Sequence, residues 1–190
     1  PGVSFSHERD GARCIGTTPR SSMSALRLFV LVMLQALLLS DVAPFGDWTR
    51  PQWALWGLFM LPLNTSPFIQ LFAGFLLGLG LDVTMGTYGH HMIAGTALGG
   101  CLPTLHQLMS PREGYEVTTR PTLRDMGAGW VIATTFLGAL VFHVALAIVD
   151  QWQASLIARA IAPAITSALW TTLCCLLLHL LVAPSRIKAS

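Results

Sequence analysis

The residues best able to do chemistry in this chain are one acid and several histidines set in apolar sequence. Asp82 ends the run Phe75-Leu76-Leu77-Gly78-Leu79-Gly80-Leu81, and Gly86 and then Gly89-His90-His91 follow it. A carboxylate at mid-bilayer costs roughly 2.5–3.5 kcal/mol, so one placed here needs a partner or a task. As a functional acid, Asp82 would form an ion pair, relay a proton or bind a cation. As a structural acid, it would cap the turn that follows by accepting from N–H groups near Thr84 to Gly86. Its place at the predicted helix end favours the structural role. His90 and His91 are adjacent, so on a helix they point about 100° apart and chelate a single metal poorly. His106 and His143 are candidate third ligands, but nothing in the sequence places them near. His91 reads instead as the hydrogen-bond partner that holds the turn after Asp82. His143, His179, Gln35 and Gln70 lie in apolar segments and read as interhelical hydrogen-bonding groups.

No catalytic constellation accompanies these residues. There is no Gly-x-Ser-x-Gly, His-Glu-x-x-His, phosphate-binding loop or Cys-x-x-Cys. Cys14, Cys101, Cys174 and Cys175 lack metal-ligand spacing and read as small apolar packing residues. Ionisable residues within apolar sequence are too few for an ion-coupled pump, which needs acids and bases on a shared cavity. The expectation is a protein that is not an enzyme, with no cofactor and no metal.

The elements that must position Asp82 are those of a membrane protein. The chain has 190 residues, 53% hydrophobic and 11% charged, with mean hydropathy +0.62. Soluble domains carry about 25% charged residues. A net charge of +2 gives no reason to expect nucleic acid. Residues Pro1 to Ser22 are polar and lack an apolar period, and Met23 directly precedes the first apolar run. They read as a disordered leader upstream of a true start at Met23. Residues 23–185 then form a single polytopic membrane domain, and 186–190 a cytoplasmic tail.

Six spans are predicted, giving an all-α integral membrane protein. The first covers about Ala25 to Val42. The second, Trp53 to Leu63, has tryptophans Trp48, Trp53 and Trp56 near its start. Its eleven residues are too few to cross about 30 Å as a helix. It must be extended by neighbours, re-entrant, or shielded by other helices. The third span, Phe68 to Leu81, carries Gly74 and Gly78, a small-xxx-small pair that lets another helix approach closely. The fourth, Tyr88 to Leu102, carries Gly95, Gly99 and Gly100. A polar loop, Pro103 to Asp125, follows, with a helix start at Thr122 to Asp125. The fifth span is Met126 to Val149 and the sixth Pro163 to Val182, joined by a connection from Asp150 to Ala162 and opened by a proline suited to a first turn.

Charge sets the predicted orientation. From Met23 onward, Arg27, Arg112, Arg120, Arg124, Arg186 and Lys188 fall on the side of the termini and the polar loop. Arg50 and Arg159 fall on the other. Cytoplasmic loops carry the excess of Lys and Arg, so both termini are predicted in the cytoplasm.

The stretch Gly78-Leu79-Gly80-Leu81-Asp82, then Gly86, then Gly89-His90-His91, resembles the signature of the rod shape-determining MreD family. That signature is an apolar helix ending Gly-Leu-x-x-Asp, a glycine-containing turn, and Gly-x-His opening the next helix. Gly78, Leu79, Asp82, Gly89 and His91 fill those positions. Ser110-Pro111-Arg112-Glu113-Gly114-Tyr115-Glu116 and Arg120-Pro121-Thr122-Leu123-Arg124-Asp125-Met126-Gly127 are similar to the longer loop of one branch of that family. Many relatives are more aliphatic where this chain has His90, Gly95, Gly99 and Gly100. The resemblance implies a non-enzymatic inner-membrane subunit of the bacterial cell-elongation complex. Its implied partners are MreC, a single-span periplasmic protein, and, indirectly, MreB and the peptidoglycan polymerase and transpeptidase. A homodimer is also compatible. The implied fold is similar to the six-helix substrate-binding subunits of ECF transporters. The alternative function is a small-molecule-binding subunit of an ECF-type transporter, which would need a polar, ligand-sized cavity near the outer face.

Overall fold

Two glycine-lined helices run antiparallel and form the closest-packed part of the molecule. The structure is a computed structural model that describes residues 30, 34, 49–110, 115, 121–151 and 154–182. The leader 1–22, most of the first predicted span including Gln35, and the tail 186–190 lie outside the described residues. The described elements are α1 (Leu55–Phe59), α2 (Pro67–Met85), α3 (His90–Leu108), α4 (Leu123–Met126), α5 (Ala128–Gln151) and α6 (Ala154–Val182). No strand occurs among the described residues. Among the described residues, three helical stretches are long and apolar enough to cross a membrane: Pro67–Met85, Ala128–Gln151 and Arg159–Leu181. Their outward faces keep large apolar side chains, as on Phe72, Leu76, Ile132, Leu169, Leu173 and Leu177, which suits lipid rather than water.

Helix α2 begins where the sequence supplies a start signal. Ser66 accepts from the Ile69 N–H at 3.4 Å, and Pro67 occupies the first turn. Its buried face repeats as Gln70, Ala73-Gly74, Leu77-Gly78 and Leu81-Asp82. Helix α3 answers with His91, Ala94-Gly95, Leu98-Gly99, Leu102 and His106. The two stripes interlock at backbone distance. A Cβ on Gly78 would lie 2.5 Å from Met92 Cα, and one on Gly99 would lie 2.5 Å from the Gln70 carbonyl oxygen. A Cβ on Gly74 would meet the backbone of Gly95 and Gly99. Glycine is required at these positions because no side chain fits between the helices.

Several predicted boundaries move. Helix α2 runs to Met85 rather than ending at Leu81, so Asp82 sits in its last turn. Gly86 stops it, at φ 68°, a left-handed conformation that glycine adopts without strain. Helix α3 continues through Pro103 to Leu108 rather than giving way to the polar loop at Pro103. Pro163 likewise lies inside α6 rather than opening it, and the expected connection is helical from Ala154. In both helices the proline removes one i→i−4 bond, a cost that burial among neighbouring helices offsets.

The second predicted span departs most. Residues 49–52 have no regular secondary structure, α1 contributes five helical residues, and Ala54, Leu55 and Leu58 are fully buried. The segment threads the interior, and Phe59 lies against Gly138 of α5. Backbone outside helix and sheet has donors that no regular ladder satisfies, which burial makes costly. Two hydroxyls of α6 supply acceptors: the Arg50 N–H donates to Ser167 Oγ at 3.1 Å and the Gln52 N–H to Thr171 Oγ1 at 3.0 Å.

Candidate functional site: the Asp82 clasp

The turn between α2 and α3 leaves helix α3 without a side chain to cap it. Its N-cap is Gly89, at φ 89°. The N–H groups of His91 and Met92, which an N-cap oxygen would ordinarily take, are therefore unclaimed by local sequence. Asp82 takes both from the neighbouring helix. The His91 N–H donates to Oδ1 at 3.0 Å and the Met92 N–H to Oδ2 at 2.8 Å. The Thr87 hydroxyl also donates to Oδ1. His91 Nδ1 lies 3.1 Å from the same oxygen and 2.9 Å from Thr87 Oγ1. Thr87 has one proton and gives it to Asp82, so the arrangement closes when His91 carries its proton on Nδ1 and donates to both.

Asp82 is only 5% exposed, and its two oxygens accept four donors. The carboxylate is thus a cap supplied across the hairpin. The positive end of the α3 dipole points at it, which adds to the four bonds. The acceptor role was expected, but the donors differ. The groups near Thr84 to Gly86 were anticipated, whereas the observed ones lie on the next helix. The backbone carbonyl of Asp82, not its side chain, takes the N–H groups of Gly86 and Thr87.

Other predicted residues distribute as follows. Gly78, Gly86, Gly89, Asp82 and His91 all belong to this hairpin. Leu79 does not join it and points outward, 39% exposed. His90 turns away from His91 and places Nδ1 2.6 Å from Asp150 Oδ1, tying the start of α3 to the end of α5. His143 Nε2 lies 2.9 Å from Thr171 Oγ1. Thr171 Oγ1 thus joins His143 to the Gln52 N–H, which donates to the same hydroxyl. His179 Nε2 accepts from the Leu123 N–H at 3.1 Å and so caps the start of α4 rather than pairing with another membrane helix. Gln70 Nε2 donates to the Thr65 carbonyl at 2.9 Å, a bond to its own preceding loop rather than across helices. Cys174 and Cys175 are buried and Cys101 is exposed. Among the described residues no three His, Cys, Asp or Glu side chains approach closely enough to hold a metal.

Sequence reasoning missed two groups. Thr87 gave no signal beyond following a glycine, although Gly89 as an N-cap without an oxygen implied that some acceptor must come from elsewhere. The second group is Trp130 with Tyr115 and His106. The Trp130 indole donates to the Met109 carbonyl at 3.0 Å and to Tyr115 Oη at 3.3 Å, and Tyr115 donates to the His106 carbonyl at 2.6 Å. Burial pushes the Tyr115 phenol above its ordinary pKa, so it stays a neutral donor. The His106 ring stacks on Trp130 at 5.9 Å.

The class that fold and site define is a helical protein with, among the described residues, three helices able to cross a membrane and a buried acid that acts as a cap. Comparison with family models, with curated proteins and with solved structures finds no match.

Proposed function

We propose that this protein is a non-enzymatic subunit of the bacterial inner membrane that helps organise the cell-elongation complex, binding an MreC-type single-span protein and so regulating peptidoglycan synthesis and rod shape. The observation that carries the reading is the use made of the motif residues. Gly78, Asp82, Gly89 and His91, the positions that resemble the MreD signature, are all engaged in closing one hairpin. The carboxylate has no open position for a substrate, which suits a packing element in a scaffold better than a reacting group. In the proposed topology the chain crosses six times. Residues 49–63 make the second crossing as an interrupted element, tolerated because other helices bury it. Both termini lie in the cytoplasm. The test is depletion of the protein in its rod-shaped host. Rounded cells with disturbed lateral wall synthesis are expected, and unchanged rods would refute the reading.

A second reading, a ligand-binding subunit of an ECF-type transporter, is favoured by one observation. A cavity of about 340 Å³ lined by Arg50, His143, Asp150 and Arg159 opens beside α5 and α6. Its volume falls in the range of small-ligand sites. Co-purification with paired ATPases and a coupling membrane subunit would select that reading over the first.

A further inference from the structure

We infer that Tyr88, at the tip of the turn joining α2 and α3, is the anchor by which the outer face of this protein docks into a pocket on the extracytoplasmic part of its single-span partner. The inference rests on the assembly reading above and names a contact that reading leaves open.

Exposure is the first observation. Tyr88 is 96% exposed, more than any other large hydrophobic side chain among the described residues, and nearby Val83 is 76% exposed. Turns are ordinarily filled by Gly, Pro, Asn, Asp and Ser, each for a backbone reason. Tyrosine has none of those reasons, and a ring this exposed adds almost no packing to the fold. Folding alone therefore does not call for an aromatic side chain here.

The second observation is the rigidity of the mount. The Asp82 carbonyl accepts from the Gly86 and Thr87 N–H groups. The Asp82 carboxylate takes the Thr87 hydroxyl on one side of Tyr88 and the His91 and Met92 N–H groups on the other. The Gly89 carbonyl accepts from the Ile93 N–H at 3.1 Å. Gly86 and Gly89 hold left-handed φ values of 68° and 89°. A buried carboxylate thus fixes, from both sides, a residue whose own ring stands clear of the fold.

Rigidity selects the kind of partner. Tyrosine is enriched both at membrane–water interfaces and among the residues that dominate protein–protein binding. A ring resting among lipid headgroups gains nothing from a fixed backbone. A ring entering a protein pocket does, because less conformational freedom is lost on docking. Residues 83–89 contain no Lys, Arg, Asp or Glu. The pocket that fits them is uncharged, with apolar walls for the ring and a hydrogen-bonding group for the phenol.

The experiment uses the full-length chain in the membrane of its rod-shaped host. The photo-crosslinker p-benzoylphenylalanine, placed at position 88, is expected to capture the single-span periplasmic protein. Between the purified proteins in mild detergent, Tyr88→Ala should weaken affinity about thirtyfold, the loss typical of an interface hot spot. Tyr88→Phe keeps the ring and should lose only about fivefold, the share of one hydrogen bond. Both variants should melt with wild type, because the side chain is exposed, whereas Asp82→Ala should not. Unchanged affinity in Tyr88→Ala, or crosslinks from position 88 to lipid alone or to a second copy of this chain, would overturn the inference while the partner's co-purification still upheld the assembly reading. A wild-type protein that captures no such partner would overturn both.

Discussion

Replacing Asp82 tests the clasp directly, because the side chain does several separable things. Asp82→Ala removes the acceptor for two backbone N–H groups, one hydroxyl and one imidazole N–H, all in a site that is 5% exposed. A hydrogen bond to a charged group contributes about 1.5–3 kcal/mol, and a buried donor left unsatisfied costs a similar amount. The four bonds share one carboxylate and do not add. The two backbone caps alone imply a loss of about 3–5 kcal/mol, a large share of the roughly 5–15 kcal/mol that holds a typical domain together. Asp82→Asn keeps one carbonyl oxygen but turns an amide NH2 toward donors, so it should lose about half as much. Equilibrium unfolding in mixed micelles, followed by circular dichroism, would measure both. Leu79→Ala, on the exposed face of the same helix, serves as the control. A destabilisation by Asp82→Ala of less than about 0.5 kcal/mol, the scale of an ordinary surface substitution, would refute the clasp.

The glycine seam gives a second contrast. Gly78→Ala and Gly99→Ala should each cost about 1–3 kcal/mol or more, because the new Cβ meets backbone of the facing helix. Gly100→Ala, whose Cβ would rest 3.6 Å from a Leu71 methyl, should be neutral or stabilising by about 0.5–1 kcal/mol; equal losses at all three would contradict the seam. Thr171→Val should cost about 1–3 kcal/mol, since it strands the Gln52 N–H and removes the hydrogen-bond partner of His143; a melting temperature equal to wild type would argue against the buried bridge. The half-exposed His90–Asp150 pair should show a coupling of only about 0.2–1 kcal/mol in a double-mutant cycle, and a much larger value would mean that it carries the hairpin's stability instead of Asp82.

Much of the hairpin was readable before any coordinates. Glycines four residues apart, at 74 and 78 and again at 95 and 99, signal close helix approach through spacing alone. Asp82 in apolar sequence announces a buried acceptor, and the adjacency of His90 and His91 makes them a poor chelating pair. What the sequence could not show was which donors Asp82 meets. That depends on the antiparallel register set by the turn at Gly86 and Gly89, a tertiary property. The interrupted segment 49–63 was recognisable as too short to cross, but its route through the interior depends on Ser167 and Thr171, more than a hundred residues away. Pro103 and Pro163 misled the boundary reading, because proline usually ends a helix in water and is tolerated within one among packed membrane helices. The cavity beside α5 and α6 is not visible in the sequence because Arg50 and Arg159, among its lining residues, are far apart along the chain.

The most direct measurement of the proposed function is affinity capture of the tagged protein from its native membrane in mild detergent, with wild type and Asp82→Ala prepared side by side and quantified by mass spectrometry. The account predicts that wild type brings down a single-span periplasmic coiled-coil protein together with cell-wall synthases, and that Asp82→Ala loses them in proportion to its loss of stability. Recovery of paired ATPases with a coupling subunit, or of the same cell-wall partners in full yield from an Asp82→Ala protein shown to be destabilised, would contradict it.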